Sequence, residues 1–377
     1  MRSITALLFK DLKVAWRAPL FASISILVPV AFTFLYAIVI HVSTTATIAV
    51  ADEDDSFRSH QFVQVMEDMR NDDGQYYEIL TTDPERAREM YSSGEVGAVL
   101  TIPDGFDDDL ASGLAPQVEL ALFNINSDGT KNQHLRLEQA LRTFNAEVVP
   151  ASSPRLQIVE TTAMEDDIPI TIYLGSALIL FAALYSGIVN AGVSLTREWE
   201  ERTAKALILS PAGPGALVAG KWLASLVLSL VTIGCAAVGI GWVLGFPLGR
   251  LGPLALVSVI VIWAYGAALG TLLAVTLRRS LPLIPIAVIL AVGHFLVSGY
   301  ESYIRGFAHG GIAEVLWRST EWIPLHHLFD AVRFEAAGLS QPPGLAWGLV
   351  SSMLIATALA AFAIVRLTRT ATFTQGQ

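Results

Sequence analysis

Six places in this sequence hold residues of the types that do chemistry. Gly215–Trp222 reads Gly-Ala-Leu-Val-Ala-Gly-Lys-Trp and nearly spells a phosphate-binding loop. Trp222 stands where such a loop needs a hydroxyl for Mg²⁺, and the segment runs into an apolar stretch instead of joining a strand to a soluble helix, so it is set aside as a nucleotide site. His294 and Ser298 are four residues apart, the spacing of a base and a nucleophile on adjacent helical turns. One helix supplies no separate oxyanion site, so a polar contact inside a bundle is the simpler reading. His326, His327 and Asp330 fit one helical turn, as a metal pair or as interfacial polar residues. Asp52–Asp55 and Asp107–Asp109 offer carboxylates to a hard cation, but neither run has the alternating oxygens and the glycine of a Ca²⁺ loop. A solvated acidic surface is the competing reading of both. Cys235 is the sole cysteine, which rules out an intrachain disulfide, and it reads as a small packing residue. Neither an H-E-x-x-H nor a G-x-S-x-G motif occurs.

The elements that must carry these residues are mostly apolar. Asp, Glu, Lys and Arg are absent from Ala18–Ala51, Ile168–Thr196, Trp222–Gly249, Leu251–Leu277, Ser280–Tyr300 and Ala336–Val365. Each run exceeds the roughly 20 residues that cross about 30 Å of hydrocarbon as a helix. A composition of 53% hydrophobic and 15% charged residues fits no soluble globular domain. The fold class read from this is a polytopic α-helical membrane protein of six transmembrane helices with an inserted extracytoplasmic α/β domain. The boundaries are 1–17 for an interfacial helix, then spans at 18–42, 168–195, 216–245, 251–277, 280–299 and 344–366. Between them lie the outer domain at 43–167, a cytoplasmic loop at 196–215, an outer re-entrant or interfacial segment at 300–343 and a tail at 367–377.

Charge sets the orientation. Residues 43–167 carry 25 acidic and 8 basic residues out of chain totals of 34 and 24, so the rest of the chain is basic. The basic residues outside the insert gather at Arg2, Lys10, Lys13 and Arg17, at Arg197, Arg202, Lys205 and Lys221, at Arg278 and Arg279, and at Arg366 and Arg369. Six spans place all of these on one face, which the positive-inside rule makes the cytoplasm. Both termini are then inside a plasma (inner) membrane and the acidic insert is outside. Leu20–Ile40 is too long for the 7–15-residue core of a cleaved signal peptide. Leu8, Leu12, Ala15 and Trp16 fall near one helical face, with Lys10, Lys13 and Arg17 largely off it, as in a helix lying on the bilayer surface. A simple extension of the first span is the alternative. Nothing in this charge distribution favours nucleic acid.

In the insert, strands read at Thr47–Asp52, Tyr76–Leu80, Val96–Pro103 and Val118–Phe123. Helices read at Ser56–Arg70, Pro84–Ser93, Gly105–Ser112 and Asn132–Val149. That alternation implies an α/β domain. In the spans, Tyr185, Asn190 and His294 are polar groups at membrane depth, placed to line a pathway or to hydrogen-bond between helices. Trp317, Trp322 and Trp347 suit an interface.

Thr196–Pro211 reads Thr-Arg-Glu-Trp-Glu-Glu-Arg-Thr-Ala-Lys-Ala-Leu-Ile-Leu-Ser-Pro and is followed by Gly220-Lys221. This resembles the signature of ABC-2 type transporter permeases, in which Arg-Glu-x-Glu-x-Gly-Thr runs through Leu-Leu to Ser/Thr-Pro and then to Gly-Lys at the next span. Arg197, Glu198, Glu200, Thr203, Leu207, Ser210, Pro211, Gly220 and Lys221 match. Arg202 stands where the family often has glycine, which implies a straighter helix there. Ser93–Phe106 looks like the outer domain of the subfamily with a large loop between the first two spans, and Ile323–Arg333 resembles the family's closing segment.

The resemblance implies a permease subunit of an exporter. Apolar spans with a few polar residues suit an amphiphilic, drug-like or lipidic substrate entering laterally, and a sodium-type exporter, whose acidic domain would attract cations, is the other reading of the substrate. The resemblance also implies pairing with a second permease copy or paralogue, docking of two ATPase subunits, lipid contact and, in some systems, a periplasmic adaptor. No catalytic, cofactor or metal residue is expected in this chain, since ATP and Mg²⁺ would sit on the partner ATPase. Coupling would fall to Arg197, Glu198, Glu200, Glu201, Thr203, Leu207, Ser210 and Pro211. Arg197–Leu209 would be one short helix with Leu207, Ile208 and Leu209 facing a groove. A membrane-anchored receptor or scaffold, binding a protein through the acidic domain, is the alternative function.

Overall fold

The computed structural model describes residues 2–17, 19–71, 74–93, 96, 98–112, 116–122, 127–148, 168–208, 210–211, 213–299, 315, 322–340 and 344–373. The chain forms two compact units, one of residues 1–37 and 168–377 and one of residues 38–167.

The first unit is helical. It contains α1 (Arg2–Arg17), α2 (Leu20–Thr44, which runs on into the second unit), α7 (Ile170–Glu200), α8 (Ala204–Ile208), α9 (Gly213–Leu244), α10 (Pro253–Leu277), α11 (Ser280–His294), α12 (Pro324–Ala337) and α13 (Leu345–Phe373). Helices α2, α7, α9, α10, α11 with the π-helical turn that continues it, and α13 contain the six segments long and apolar enough to cross a membrane. The protein is therefore a multi-pass helical membrane protein.

Helix α7 is the axis of this unit. Of its most apolar stretch 94% is buried, against 22% for α2, 33% for α9 and 28% for α11 and α13. Its closest neighbour is α10, and glycines set that distance. A Cβ on Gly270 would sit 2.1 Å from the Ile188 carbonyl oxygen, one on Gly266 2.5 Å from that of Leu184, and one on Gly187 2.6 Å from that of Trp263. In lipid, where tails are as apolar as leucine, close backbone packing replaces hydrophobic burial as the cohesive force.

Helix α11 runs on into a π-helical turn, Phe295–Gly299. Phe295 there meets Phe32, Tyr36 and Phe181 edge-on. On α12 the Glu335 carboxylate accepts the Ala255 backbone N–H at 2.6 Å and so caps α10. Cys235 is exposed on α9, not packed as its type implies. Trp322 and Trp347 are exposed as well, whereas residues 300–314 and 316–321, Trp317 among them, lie outside the described residues.

The second unit is α/β. Its elements are β1 (Ala46–Asp52), α3 (Phe57–Asp68), β2 (Arg70–Asn71), β3 (Gly74–Gln75), β4 (Tyr77–Ile79), α4 (Pro84–Ser92), β5 (Ala98–Ile102), α5 (Phe106–Ala111), β6 (Glu119–Leu122) and α6 (Ser127–Val148). The sheet order is β4-β1-β5-β6, with β1 parallel to both neighbours and β6 antiparallel to β5. Alternation along β1 builds two cores. Ile48 and Val50 join Phe62, Met66, Leu137 and Phe144 of α3 and α6, while Ala49 and Ala51 join Ala87 and Met90 of α4. Asp83 caps α4 with Pro84 at its first turn, as the Asp-Pro-Glu sequence implies.

The acidic run after β1 is only partly a solvated surface. Asp52 is buried, its Oδ1 accepting the backbone N–H of Asp54 and Asp55 and its Oδ2 the Ser59 hydroxyl at 2.6 Å. Asp54 accepts the N–H groups of Gly105 and Asp107, tying β1 to the start of α5. Burial pushes the Asp54 carboxyl up, but Ser56 and the N–H groups of Asp107, Gly105 and Phe106 outweigh it and hold the group below the usual carboxylate range.

Candidate functional site

The signature residues converge where α1, the end of α7 and the start of α9 meet. Glu198 lies in the last turn of α7, and both it and Lys221 of α9 are 1% exposed. Lys221 Nζ donates to Glu198 Oε1 at 2.5 Å and to Asp11 Oδ1 of α1 at 2.7 Å. Lys10 of α1 donates to both Glu198 oxygens, at 2.7 and 2.9 Å. The Thr203 hydroxyl donates to Glu198 Oε2 from the far side of the chain reversal. Glu198 is thus held by three donors from three segments.

Burial pushes the Asp11 carboxyl above its usual range, against the pull of Lys221. The paired Gly220 explains the rest of the Gly-Lys motif. A Cβ there would come within 2.9 Å of Leu7 Cβ, so glycine lets α1 lie against α9 and bring its charges to Lys221.

The phosphate-loop resemblance of Gly215–Trp222 is dissolved by the same geometry, because the whole stretch is helical and Lys221 is spoken for by two carboxylates. The inward face of α1 also differs from the sequence expectation. Leu7 and Asp11 are its buried residues, Lys10 turns inward to Glu198, and Phe9 and Trp16 are exposed. The helix ends at Arg17 and α2 begins at Leu20, so it is not an extension of the span.

The connection after α7 is a chain reversal, not the single helix Arg197–Leu209. Arg202 takes φ +61°, its N–H bonds the Trp199 carbonyl at 3.1 Å, and the Thr203 N–H bonds the Glu198 carbonyl at 2.8 Å. This pair of bonds is the Schellman helix stop, whose left-handed position favours glycine. Arginine at the glycine position therefore does not straighten the helix, because the closing bonds and the Glu198–Thr203 contact impose the turn anyway. Arg202→Gly is expected to raise stability by about 1 kcal/mol by removing the left-handed strain, seen as a higher unfolding midpoint of the detergent-solubilised protein.

Glu200 turns away from the connection. Its carboxylate accepts the Ser280 N–H at 2.7 Å and the Ser280 hydroxyl at 3.0 Å, capping α11. Thr196 reinforces that end through the same hydroxyl at 2.7 Å. Arg197 lies over the Phe21 ring at 5.1 Å. Leu207 and Ile208 on α8 are half-buried, Leu209 lies outside the described residues, and the Ser210 hydroxyl closes onto the Leu207 carbonyl. Glu201, Arg202, Lys205, Ala206 and Pro211 are the exposed members of the connection.

The intramembrane polar residues are dispersed. Tyr185 is fully buried and stacked on Phe181, with no hydrogen-bond partner for its hydroxyl among the described residues. Asn190 donates to Ser229 at 3.0 Å. His294 pairs with the Tyr265 hydroxyl at 3.2 Å and with the Leu290 carbonyl, while Ser298 lies buried in the π-helical turn, so the two do not form a base–nucleophile pair. Asp330 takes a contact from His326 at 3.4 Å and from Arg333 at 3.0 Å. Asp52, Asp55 and His60 bring three ligand-type atoms within 4.8 Å of one another, but the Asp52 oxygens already accept three protein donors.

Sequence reasoning missed Asp11 and Lys10 as members of the site. The available signal was an aspartate in the middle of an otherwise basic surface helix, a residue that such a helix does not need for lipid. The family described as ABC-2 family transporter protein matches the chain over residues 20–367. No curated protein and no solved structure gives a significant match.

Proposed function

The chain belongs to the ABC-2 family of transporter proteins, and from that premise we propose that it forms the membrane pathway of an exporter driven by a separate ATPase. Membership makes it the membrane permease subunit of an ABC system and not the ATPase. The outward direction, an amphiphilic substrate and a paired permease are our reading. So is the orientation, with both termini cytoplasmic in the plasma membrane and the α/β unit outside.

The observation that carries the coupling role is the anchoring of the α7–α9 connection. Buried charges fix Glu198 to α1 and α9, and Glu200 fixes the same helix end to α11. Glu201, Arg202 and Lys205 remain exposed on that anchored base. A push on those three residues would move α1, α7, α9 and α11 together, which is how a packed, bistable bundle passes on a rigid-body tilt.

The test is ATP hydrolysis by the permease–ATPase complex in lipid vesicles. Amphiphilic compounds are expected to stimulate it several-fold and to accumulate on the side away from the ATPase. Hydrolysis indifferent to every amphiphile would remove the substrate class. Orientation is checked separately, because a cysteine replacing Asp108 is expected to react with an impermeant reagent in intact cells. Labelling only after lysis would overturn the assignment of the α/β unit to the outside.

A further inference from the structure

Beside the charge network an open cleft runs between α1, the start of α2, α7 and α9. Its polar lining is Asp11, Asn190, Ser194 and Arg197, and Phe21 and Leu228 are among its apolar walls. Lys221 occupies Asp11 Oδ1, whereas the buried Oδ2 has no hydrogen-bond partner among the described residues. Asn190 uses its amide N–H on Ser229, which leaves its carbonyl as the acceptor. The Ser194 hydroxyl spends its proton on the Ala191 carbonyl at 3.0 Å. Three side chains of the cleft thus offer acceptors, and one of them is a carboxylate oxygen deprived of a donor. Arg197 adds a cation along the same lining.

We propose that this cleft holds the headgroup of a zwitterionic phospholipid bearing a primary ammonium, the phosphoethanolamine type. A primary ammonium brings three N–H donors to a lining of acceptors, and its charge answers Asp11. The phosphate two carbons away then meets Arg197, a residue suited to phosphate by its planar set of donors. A choline headgroup carries no N–H and leaves Asp11 Oδ2 unsatisfied, which is how a site built for a donor rejects an analogue without one. Phe21 and Leu228 receive the first carbons of the lipid, and the exposed Phe9 and Trp16 of α1 suit the same depth of the bilayer. Burial that raises the Asp11 carboxyl is relieved by an added cation. The assignment rests on the reading of α1 as a helix at the membrane surface.

The test uses the full-length permease alone, purified in detergent and titrated with single lipids of matched acyl chains under native mass spectrometry. Phosphatidylethanolamine is expected to bind about tenfold more tightly than phosphatidylcholine. Asp11→Asn keeps an acceptor for Lys221 but replaces the free oxygen by a donor, and Ala22→Phe fills the cleft without touching a charge. Each is expected to bring phosphatidylethanolamine down to the phosphatidylcholine value, and if one variant fails to fold the other decides. A preference that survives in the folded variants overturns the proposal. So does phosphatidylglycerol binding more tightly than phosphatidylethanolamine, which would make the cleft an anion site of Arg197. Soluble phosphoethanolamine is expected to compete only at roughly 100-fold higher concentration, and competition at equal concentration overturns the lipid assignment. No ATPase is present in the assay, so its outcome is independent of whether the export reading holds.

Discussion

Lys221→Met is expected to destabilise the helical unit by about 3–5 kcal/mol, the cost of removing one partner from a buried ion pair. Lys221 is 1% exposed and bridges Asp11 and Glu198. Without it two carboxylates remain buried, Glu198 keeps Lys10 and Thr203, and Asp11 keeps no hydrogen-bond donor among the described residues. The loss therefore falls mainly on Asp11, and the response is release of α1 from α9. Adding Asp11→Asn to Lys221→Met is expected to recover a substantial part of the loss, because a neutral amide is cheaper to bury than an unpaired charge. The measurement is a double-mutant cycle on unfolding midpoints in detergent, with thiol labelling at a cysteine in place of Leu7 to follow α1. If Lys221→Met costs less than about 1 kcal/mol, or if Leu7→Cys stays protected in it, the network does not hold α1 in place.

How much of this was legible depends on where each residue's signal resides. The second unit was read nearly element by element, because its strands alternate and its helices have local caps. Ile48 and Val50 against Ala49 and Ala51, or Asp83-Pro84-Glu85, carry their message within a few residues. The six spans are likewise local, as each is an uninterrupted apolar run. The sheet order was not legible, since no short-range pattern says that β1 lies between β4 and β5.

The site shows the opposite case. The signature stretch marked Glu198 and Glu200 as important but assigned both outward, to a partner. Their contacts are with residues far away in sequence, Glu198 with Lys10 and Lys221 and Glu200 with Ser280. A helical wheel of α7 places them on nearly opposite faces and says nothing about what waits there. The same blindness hid Asp11, whose meaning lies wholly in Lys221, 210 positions away. It also made Gly215–Lys221 resemble a phosphate loop, because glycine for close approach and lysine for a buried carboxylate are the same letters in both settings. Arg202 misled for a different reason. Its side chain argues against a left-handed turn, yet the hydrogen bonds closing the end of α7 outweigh the cost of about 1 kcal/mol.

That redistribution changes which residues a coupling experiment should strike. Substituting Glu198 or Glu200 disturbs the anchoring of α1 or the cap of α11, so a loss of transport there does not distinguish contact from fold. Reversing the exposed charges does. Glu201→Lys combined with Lys205→Glu leaves every described hydrogen bond of the α7–α9 connection intact, since none runs through either side chain. Exposed substitutions of this kind change stability by no more than about 0.5 kcal/mol. At an interface matched by charge, however, juxtaposed like charges cost several kcal/mol. Substrate-stimulated ATP hydrolysis by the reconstituted complex is therefore expected to fall on the order of 100-fold while the permease keeps its unfolding midpoint. Basal hydrolysis by the isolated ATPase is expected to stay unchanged, because its catalytic site is its own. The effect should also deepen as ionic strength drops, since less salt lengthens the reach of like-charge repulsion. A complex that retains full stimulation with both reversals would move the ATPase contact off this connection, and the anchored base formed by Glu198 and Lys221 would then serve only to hold α1 against the bundle.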